Sequence, residues 1–279
     1  MPELPEVETL TNAVKKIALG RRIIQSKFYR KDLRSEIPVD ELNDILLNRK
    51  IIEIRRRSKF MMMRTDKGWV LIHLGMSGHM DHHSSKSPQL PHTHVVFTLE
   101  PRHKGSDLEY LHYVDPRRFG WMTCTRSLDP EAHELLRHLG PEPLETKDLG
   151  DYLWRESRGK TTSVKSFIMN AKVVVGVGNI YANEALFRAG IRPGKAAGRI
   201  SRESMKKLAV AIAETLRAAI SQGGTTLRDF RSSDGSPGYF AVDLQVYGRG
   251  GETCLSCSDT IKSIRQSNRA SYYCPTCQR

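Results

Sequence analysis

The chain opens Met1-Pro2-Glu3-Leu4-Pro5-Glu6, and two of these residues can do covalent chemistry together. A small residue after the initiator methionine directs removal of that methionine, which leaves Pro2 with a free secondary amine. Such an amine attacks an electrophilic carbon and forms an iminium without any lysine. Its pKa lies below that of a lysine ammonium, so more of it is unprotonated at neutral pH. Glu3 follows at once and Glu6 three residues later, and a nucleophile beside a carboxyl group is a catalytic arrangement. On these residues alone a plainer reading weighs more. Prolines suit the first turn of a helix, and acidic residues there complement its dipole. The rest of the chain decides between the two.

A second constellation binds metal. Cys254, Cys257, Cys274 and Cys277 are spaced C-x2-C, sixteen residues, C-x2-C. Each two-residue gap lets both sulfurs of a knuckle face one ion, the pattern of a tetrahedral four-thiolate Zn2+ site. Four thiolates leave no position open for water, so one structural zinc ion is expected. The residues between the knuckles suffice for a β-hairpin and carry Lys262, Arg265 and Arg269 against one acid, Asp259. Two paired knuckles are hard to explain as a redox dithiol. Cys124 stands alone and reads as a buried apolar residue.

Other motifs are weaker. Val175-Gly176-Val177-Gly178-Asn179-Ile180-Tyr181 precedes a helix, whose start offers bare N–H groups; a DNA phosphate is their expected ligand. Arg55-Arg56-Arg57-Ser58-Lys59 is either a solvated basic face or places Lys59 at a cleft mouth against a phosphate. Met76 lies between glycines, and Arg117 and Phe119 share the turn Asp115-Pro116-Arg117-Arg118-Phe119-Gly120. Singly, Met76 and Phe119 are more often core residues; with Arg117 they could fill the space of an extruded nucleotide. Five histidines fall between His79 and His94. They read as scattered loop residues, since neither spacing nor carboxylate partners support a second metal site.

These groups need elements to hold them. Val7, Leu10, Val14 and Ile17 recur at helical spacing over 3–19, with Gly20 as a cap. From 21 to 125 short β-rich runs, such as 51–57, 69–74, 94–99 and 110–114, predict a sandwich or barrel, with 82–91 as a loop. Helices take over at Asp129-Pro130 and recur at 147–157, 162–171, 178–188 and 202–221, the last with a Leu208, Ile212, Leu216, Ile220 stripe. The 223–238 stretch, rich in Gly and Ser, reads as a functional loop.

Across 279 residues, 44 Lys and Arg outweigh 31 Asp and Glu, a net charge of +13. That balance points to a polyanion, nucleic acid before an anionic membrane surface. No apolar run reaches the roughly 18 residues of a membrane helix, and the start lacks the pattern of a secretory leader. Cysteine usage favours metal over disulfides.

Jointly the motifs resemble the formamidopyrimidine-DNA glycosylase family, the 8-oxoguanine repair enzymes of bacteria. The resemblance spans the chain: PELPEVET, HLGMSG, DPRRFG, HLGPEPL, VGVGNIYANEALF, QGGTTLRDF, GYF, LQVYGR and the four-cysteine finger. Leu4 separates it from the endonuclease VIII branch, which typically begins PEGPE. The resemblance implies an α+β multidomain fold. Residues 1–128 form an N-terminal β-sandwich with a leading helix, 129–228 a helix-two-turn-helix domain, and 229–279 a lesion-covering loop and zinc-finger hairpin, with DNA in the cleft between. It implies a bifunctional DNA glycosylase and abasic-site lyase of base excision repair, acting on duplex DNA that carries an oxidised purine or abasic site. The enzyme would be bacterial cytoplasmic, with zinc its only cofactor, and a monomer is expected because the sequence shows no coiled-coil pattern or large exposed apolar face.

The same resemblance assigns roles. Pro2 attacks C1′, Glu3 is the general acid for sugar-ring opening, Lys59 assists the first elimination and Arg269 the second. His92, Lys160, Asn179 and Tyr247 match DNA-backbone contacts. Met76, Arg117 and Phe119 match void-filling residues, with Arg117 facing the orphaned cytosine, and 226–240 matches the loop over the flipped base. Glu6 and Glu184 match acidic positions near the pocket without a fixed role. Residues 100–113 look longer and more charged than the family's usual turn, and no function is implied for them. Two other readings remain: a catalytically silent DNA-binding module on the same fold, and an oxidised-pyrimidine enzyme of the endonuclease VIII type.

Overall fold

The computed structural model describes residues 2–84, 90–223 and 244–279; the expected covering loop at 226–240 lies outside them. The described residues divide into two compact units. The first holds Pro2 and Glu6–Arg137, the second Glu3–Pro5 and the described residues from His138 onward.

In the first unit, helix α1 (Leu4–Ala18) runs close to the predicted span. Val7, Leu10 and Val14 are fully or nearly fully buried, as their helical spacing requires. Two antiparallel sheets follow. One orders β1 (Ile23–Phe28), β6 (Thr93–Leu99), β7 (Glu109–Val114) and β5 (His79–His83). The other orders β2 (Glu53–Arg57), β3 (Phe60–Thr65), β4 (Gly68–His73) and β8 (Trp121–Thr125). Met61, Met63, Val70, Ile72 and Met122 of the second sheet share one core with Met80, Val95, Phe97, Leu111 and Tyr113 of the first. The architecture is therefore the expected sandwich. Cys124 packs at the edge of this core, where burial raises its thiol to about 11.

Three local readings change. Helix α2 (Val39–Leu46) interrupts the β-rich stretch, because Leu42, Ile45 and Leu46 fall on one buried helical face. His82 and His83 belong to β5, not to a loop. The helix start at Asp129-Pro130 is real but brief. Asp129 accepts the Glu131 N–H, and the chain makes one 3-10 turn (Pro130–Ala132) before returning to extended backbone at His133.

The charged 100–113 stretch is knitted into the sandwich edge. Arg21 donates to the Glu100 carbonyl and pairs with Glu109 at 2.9 Å. Glu109 also accepts from Arg102 at 2.9 Å and lies 2.7 Å from His82. Those partners hold its carboxyl below the usual range against the opposing effect of burial.

The second unit is helical, with α3 (Leu149–Ser157), α4 (Val164–Ile168), α5 (Asn179–Arg188) and α6 (Arg202–Ser221). Leu153, Ile168, Leu186, Leu208, Ile212 and Leu216 form its core, and Leu4 is buried among them. Ser163 and Ser201 cap α4 and α6 by accepting N–H bonds from Ser166 and Ser204. Strands β9 (Lys262–Gln266) and β10 (Arg269–Tyr273) make the predicted hairpin.

Candidate active site

Glu3 is held at the start of α5. Its Oε2 accepts N–H bonds from Gly178 at 2.7 Å and Tyr181 at 3.4 Å, and its Oε1 accepts one from Ile180 at 3.0 Å. The bare N–H groups expected to face a DNA phosphate are therefore taken by a carboxylate of the chain itself. The start of α5 does hold an anion, but one that lies far away in sequence. The glycines serve this contact. A methyl group on Gly178 would overlap the Glu3 carboxylate, and one on Gly176, whose φ is +80°, would overlap Leu4. The Leu4 N–H donates to the Gly176 carbonyl at 3.1 Å, pinning the backbone beside Pro2.

Around this clamp the second unit gathers further predicted residues. Asn179 begins α5 close to the Tyr247 phenol, whose pKa rises through burial. The Tyr247 ring meets Tyr272 edge-on at 5.3 Å. Arg269 is exposed at the first position of β10, paired in register with Gln266. Lys160 is exposed on a separate turn after α3, where its N–H donates to the Ser157 carbonyl at 3.0 Å.

Two supports here carried no sequence signal. Lys165 reads as a surface lysine on a short helix, yet it is buried, and its Nζ donates to the Ala270 carbonyl and the Ser271 hydroxyl, both at 2.7 Å. Burial and then the Arg269 charge bring it down to about 8. Asn183 accepts the Tyr272 N–H at 2.8 Å. Glu184, flagged without a role, accepts N–H bonds from Gln245, Val246 and Tyr247 at 2.8–3.0 Å. Its carboxylate thus fixes the backbone that presents Tyr247.

In the first unit a second group assembles. Asp115 is fully buried and accepts the Ser77 hydroxyl and the Gly120 N–H, each at 2.8 Å, while Arg117 N–H donates to Ser77 Oγ at 3.1 Å. These bonds tie the Gly75–Gly78 turn to the 115–120 turn. Gly75, at φ +64°, lets the two backbones touch. Met76 and Phe119 stand out from them at 39 % and 41 % exposure, so neither is a core residue. The Arg117 guanidinium lies 4.9 Å over the Phe119 ring. His92 is exposed at φ +68°, and its carbonyl accepts the Asp115 N–H at 3.1 Å.

Lys59 is half-buried on the β2–β3 turn, after Ser58 at φ +55°. It acts on His73, which pairs with Phe60 across β3 and β4. Burial, then the Lys59 and Arg34 charges, bring His73 from 6.5 down to about 4, and its Nδ1 accepts the Gly75 N–H at 3.0 Å. The unfolded chain takes up this proton near pH 6.5, whereas the folded chain resists until about 4. The stabilisation is therefore complete above 6.5 and is lost as pH falls toward 4. Thermal unfolding midpoints should drop across that window, and His73→Gln should show a shallower drop. Equal slopes would remove His73 from the account.

The four cysteine sulfurs lie within 4.8 Å of one another. Zn–S bonds of about 2.3 Å at tetrahedral angles place sulfurs about 3.8 Å apart, so the donor set fits one zinc ion with little adjustment.

Comparison with known proteins agrees with this geometry. The chain matches the family descriptions "Formamidopyrimidine-DNA glycosylase N-terminal domain" over residues 1–122, "Formamidopyrimidine-DNA glycosylase H2TH domain" over 139–231 and "Zinc finger found in FPG and IleRS" over 251–279. The four cysteines are thus the site of a structural zinc ion. A formamidopyrimidine-DNA glycosylase of Methylococcus capsulatus is 47% identical over 279 residues, covering 100% of both chains. The Lactococcus lactis Fpg in complex with abasic-site DNA is 30% identical with a TM-score of 0.88, covering 99% of each chain. A mutant of that protein with Fapy-dG DNA is 29% identical with a TM-score of 0.88, covering 100% of each chain.

Proposed function

The chain belongs to the formamidopyrimidine-DNA glycosylase family, and from that membership we propose that it excises oxidised purines from duplex DNA and cuts the strand at the abasic site. The observation that carries this reading is the Glu3 clamp. It fixes a carboxylate, by three N–H bonds, one residue from a buried Pro2.

The Pro2 amine attacks C1′ and the base leaves. A secondary amine that bonds to carbon must shed its N–H proton before the iminium forms, and ring opening needs a proton on O4′. Glu3 as clamped is an acceptor. It takes the proton from the amine and delivers it to O4′, so it acts as a relay whose acid form arises within the reaction. The iminium then acidifies the C2′ proton. Loss of that proton expels the 3′ phosphate, and a second elimination expels the 5′ phosphate. Lys59 and Arg269 supply positive charge to the departing phosphates. Met76, Arg117 and Phe119 fill the gap left by the extruded nucleotide, with Arg117 toward the orphaned cytosine. His92, Lys160, Asn179 and Tyr247 hold the DNA backbone. Cys254, Cys257, Cys274 and Cys277 would hold a zinc ion that supplies folding energy to the finger carrying Arg269 and no chemistry to the reaction.

Borohydride reduction on a duplex with one 8-oxoguanine opposite cytosine tests the reading. The expected product is a protein–DNA adduct whose mass spectrum places the DNA on an N-terminal Pro2. Tight binding without an adduct, in protein shown to begin at Pro2, would mean a silent DNA-binding module. Faster cutting of thymine glycol than of 8-oxoguanine would mean the oxidised-pyrimidine reading.

A further inference from the structure

The histidines expected to be scattered through a loop are organised by strand register, and they do have a carboxylate partner. His79, Asp81 and His83 alternate along β5 and so share one face. Asp81 stands directly opposite His112 of β7, a residue 31 positions away in sequence. The His83 and His112 rings lie 4.5 Å apart, centroid to centroid. His79, Asp81 and His112 are all buried.

Three side-chain atoms of this face are buried without any hydrogen-bond partner: Asp81 Oδ1, His83 Nε2 and His112 Nδ1. Buried polar atoms are nearly always paired, and an unpaired set on one patch needs an explanation. His79 lies beside this set. His79 Nδ1 lies 3.4 Å from the Ser77 carbonyl, and its Nε2 lies 3.5 Å from Asp81 Oδ2. An N–H at Nε2 faces that oxygen, so His79 orients the Asp81 carboxylate from outside the ligand set.

We propose that Asp81, His83 and His112 form a second metal site, for a divalent transition cation of the zinc, cobalt or nickel class, that staples β5 to β7. Two imidazoles and one carboxylate match that class and disfavour magnesium or calcium. Neighbouring strands lie about 4.8 Å apart and same-face residues along a strand about 6.8 Å apart, so ligands at 81, 83 and 112 can reach one ion. Among the described residues, only the cysteines already have their ligand atoms gathered within 4.8 Å. Closure of the strand site therefore requires the His83 and His112 rings to turn.

The test adds Co2+ to full-length, untagged protein whose finger is loaded with one zinc ion. The expected result is uptake of one further equivalent with weak visible d–d bands and no thiolate charge-transfer band, and a rise in unfolding midpoint with cobalt concentration. His83→Gln and His112→Gln should each weaken uptake at least tenfold while finger zinc stays at one per chain. No second equivalent at 50-fold excess cobalt, a thiolate band accompanying uptake, or uptake unchanged in both variants would each overturn the site. Should His112→Gln fail to fold, His83→Gln decides alone, because that side chain is only partly buried.

Discussion

Replacing Glu3 by glutamine is expected to reduce base excision at least 100-fold and to lower stability at the same time. The carboxylate uses both oxygens for three buried N–H groups. A glutamine keeps one acceptor oxygen and turns an NH2 donor toward N–H donors. Leaving one or two such groups unsatisfied costs about 1–3 kcal/mol each. It also removes a negative charge from the positive end of α5. The amide cannot relay a proton either, and positioned acid–base groups contribute about 10²–10⁴ in rate. The two effects separate experimentally. Denaturant unfolding gives the stability loss, and single-turnover excision well below the unfolding midpoint gives the catalytic loss. Gly178→Ala is the positional control. It keeps the acid but displaces it, since its methyl overlaps the carboxylate, so it should lose rate while Glu3 itself is intact. Full excision by a folded Glu3→Gln protein would leave Glu3 a purely structural cap.

Removing zinc, or replacing Cys254 by serine, should unfold the finger while the sandwich keeps its structure. The finger's buried core is Val246, Cys254, Ile261 and Cys274, with Phe187, Tyr272 and Cys277 packed against it. Two of the four core residues are themselves ligands, so little apolar burial remains without the ion. The finger is docked by hydrogen bonds that need its fold. Asn183 holds Tyr272, the Gln278 amide donates to the Ile191 carbonyl at 2.8 Å, and Lys165 holds Ala270 and Ser271. Loss of the hairpin strips Lys165 of both hydrogen bonds and frees Arg269 from its place. Loss of the single charge-assisted phosphate contact proposed for Arg269, at about 1.5–3 kcal/mol, corresponds to a loss of DNA affinity of about 10- to 150-fold. Amide exchange over 262–273 and binding titrations before and after chelation measure both effects. Tight lesion-DNA binding by zinc-free protein would contradict the coupling.

Chemistry written in neighbouring residues was legible from the sequence. The cysteine knuckles specify their ion by spacing alone, because each pair of ligands is local. Val7, Leu10 and Val14 specify the buried face of α1 for the same reason, as do Leu208, Ile212 and Leu216 in α6. The helix α2 escaped because eight residues of mixed apolar pattern inside a β-rich stretch look like another strand, and only packing against the sandwich chooses between them. Residue chemistry picked out Pro2, Glu3, Lys59 and Asn179, and the family resemblance added His92, Lys160 and Tyr247 and a role for each, but neither said what holds them.

Tertiary structure alone decided who meets whom. The start of α5 advertises an anion site, and nothing in VGVGN says that the anion is Glu3, because closing a chain of that length is a property of the fold. Lys165 looks solvated in sequence and is buried by a hairpin a hundred residues away. The histidines of β5 look scattered until antiparallel register sets Asp81 opposite His112. Short-range spacing is fixed by covalent geometry, so a sequence states it outright. Partners across the chain are fixed by burial and strand register, which exist only once the cores have formed.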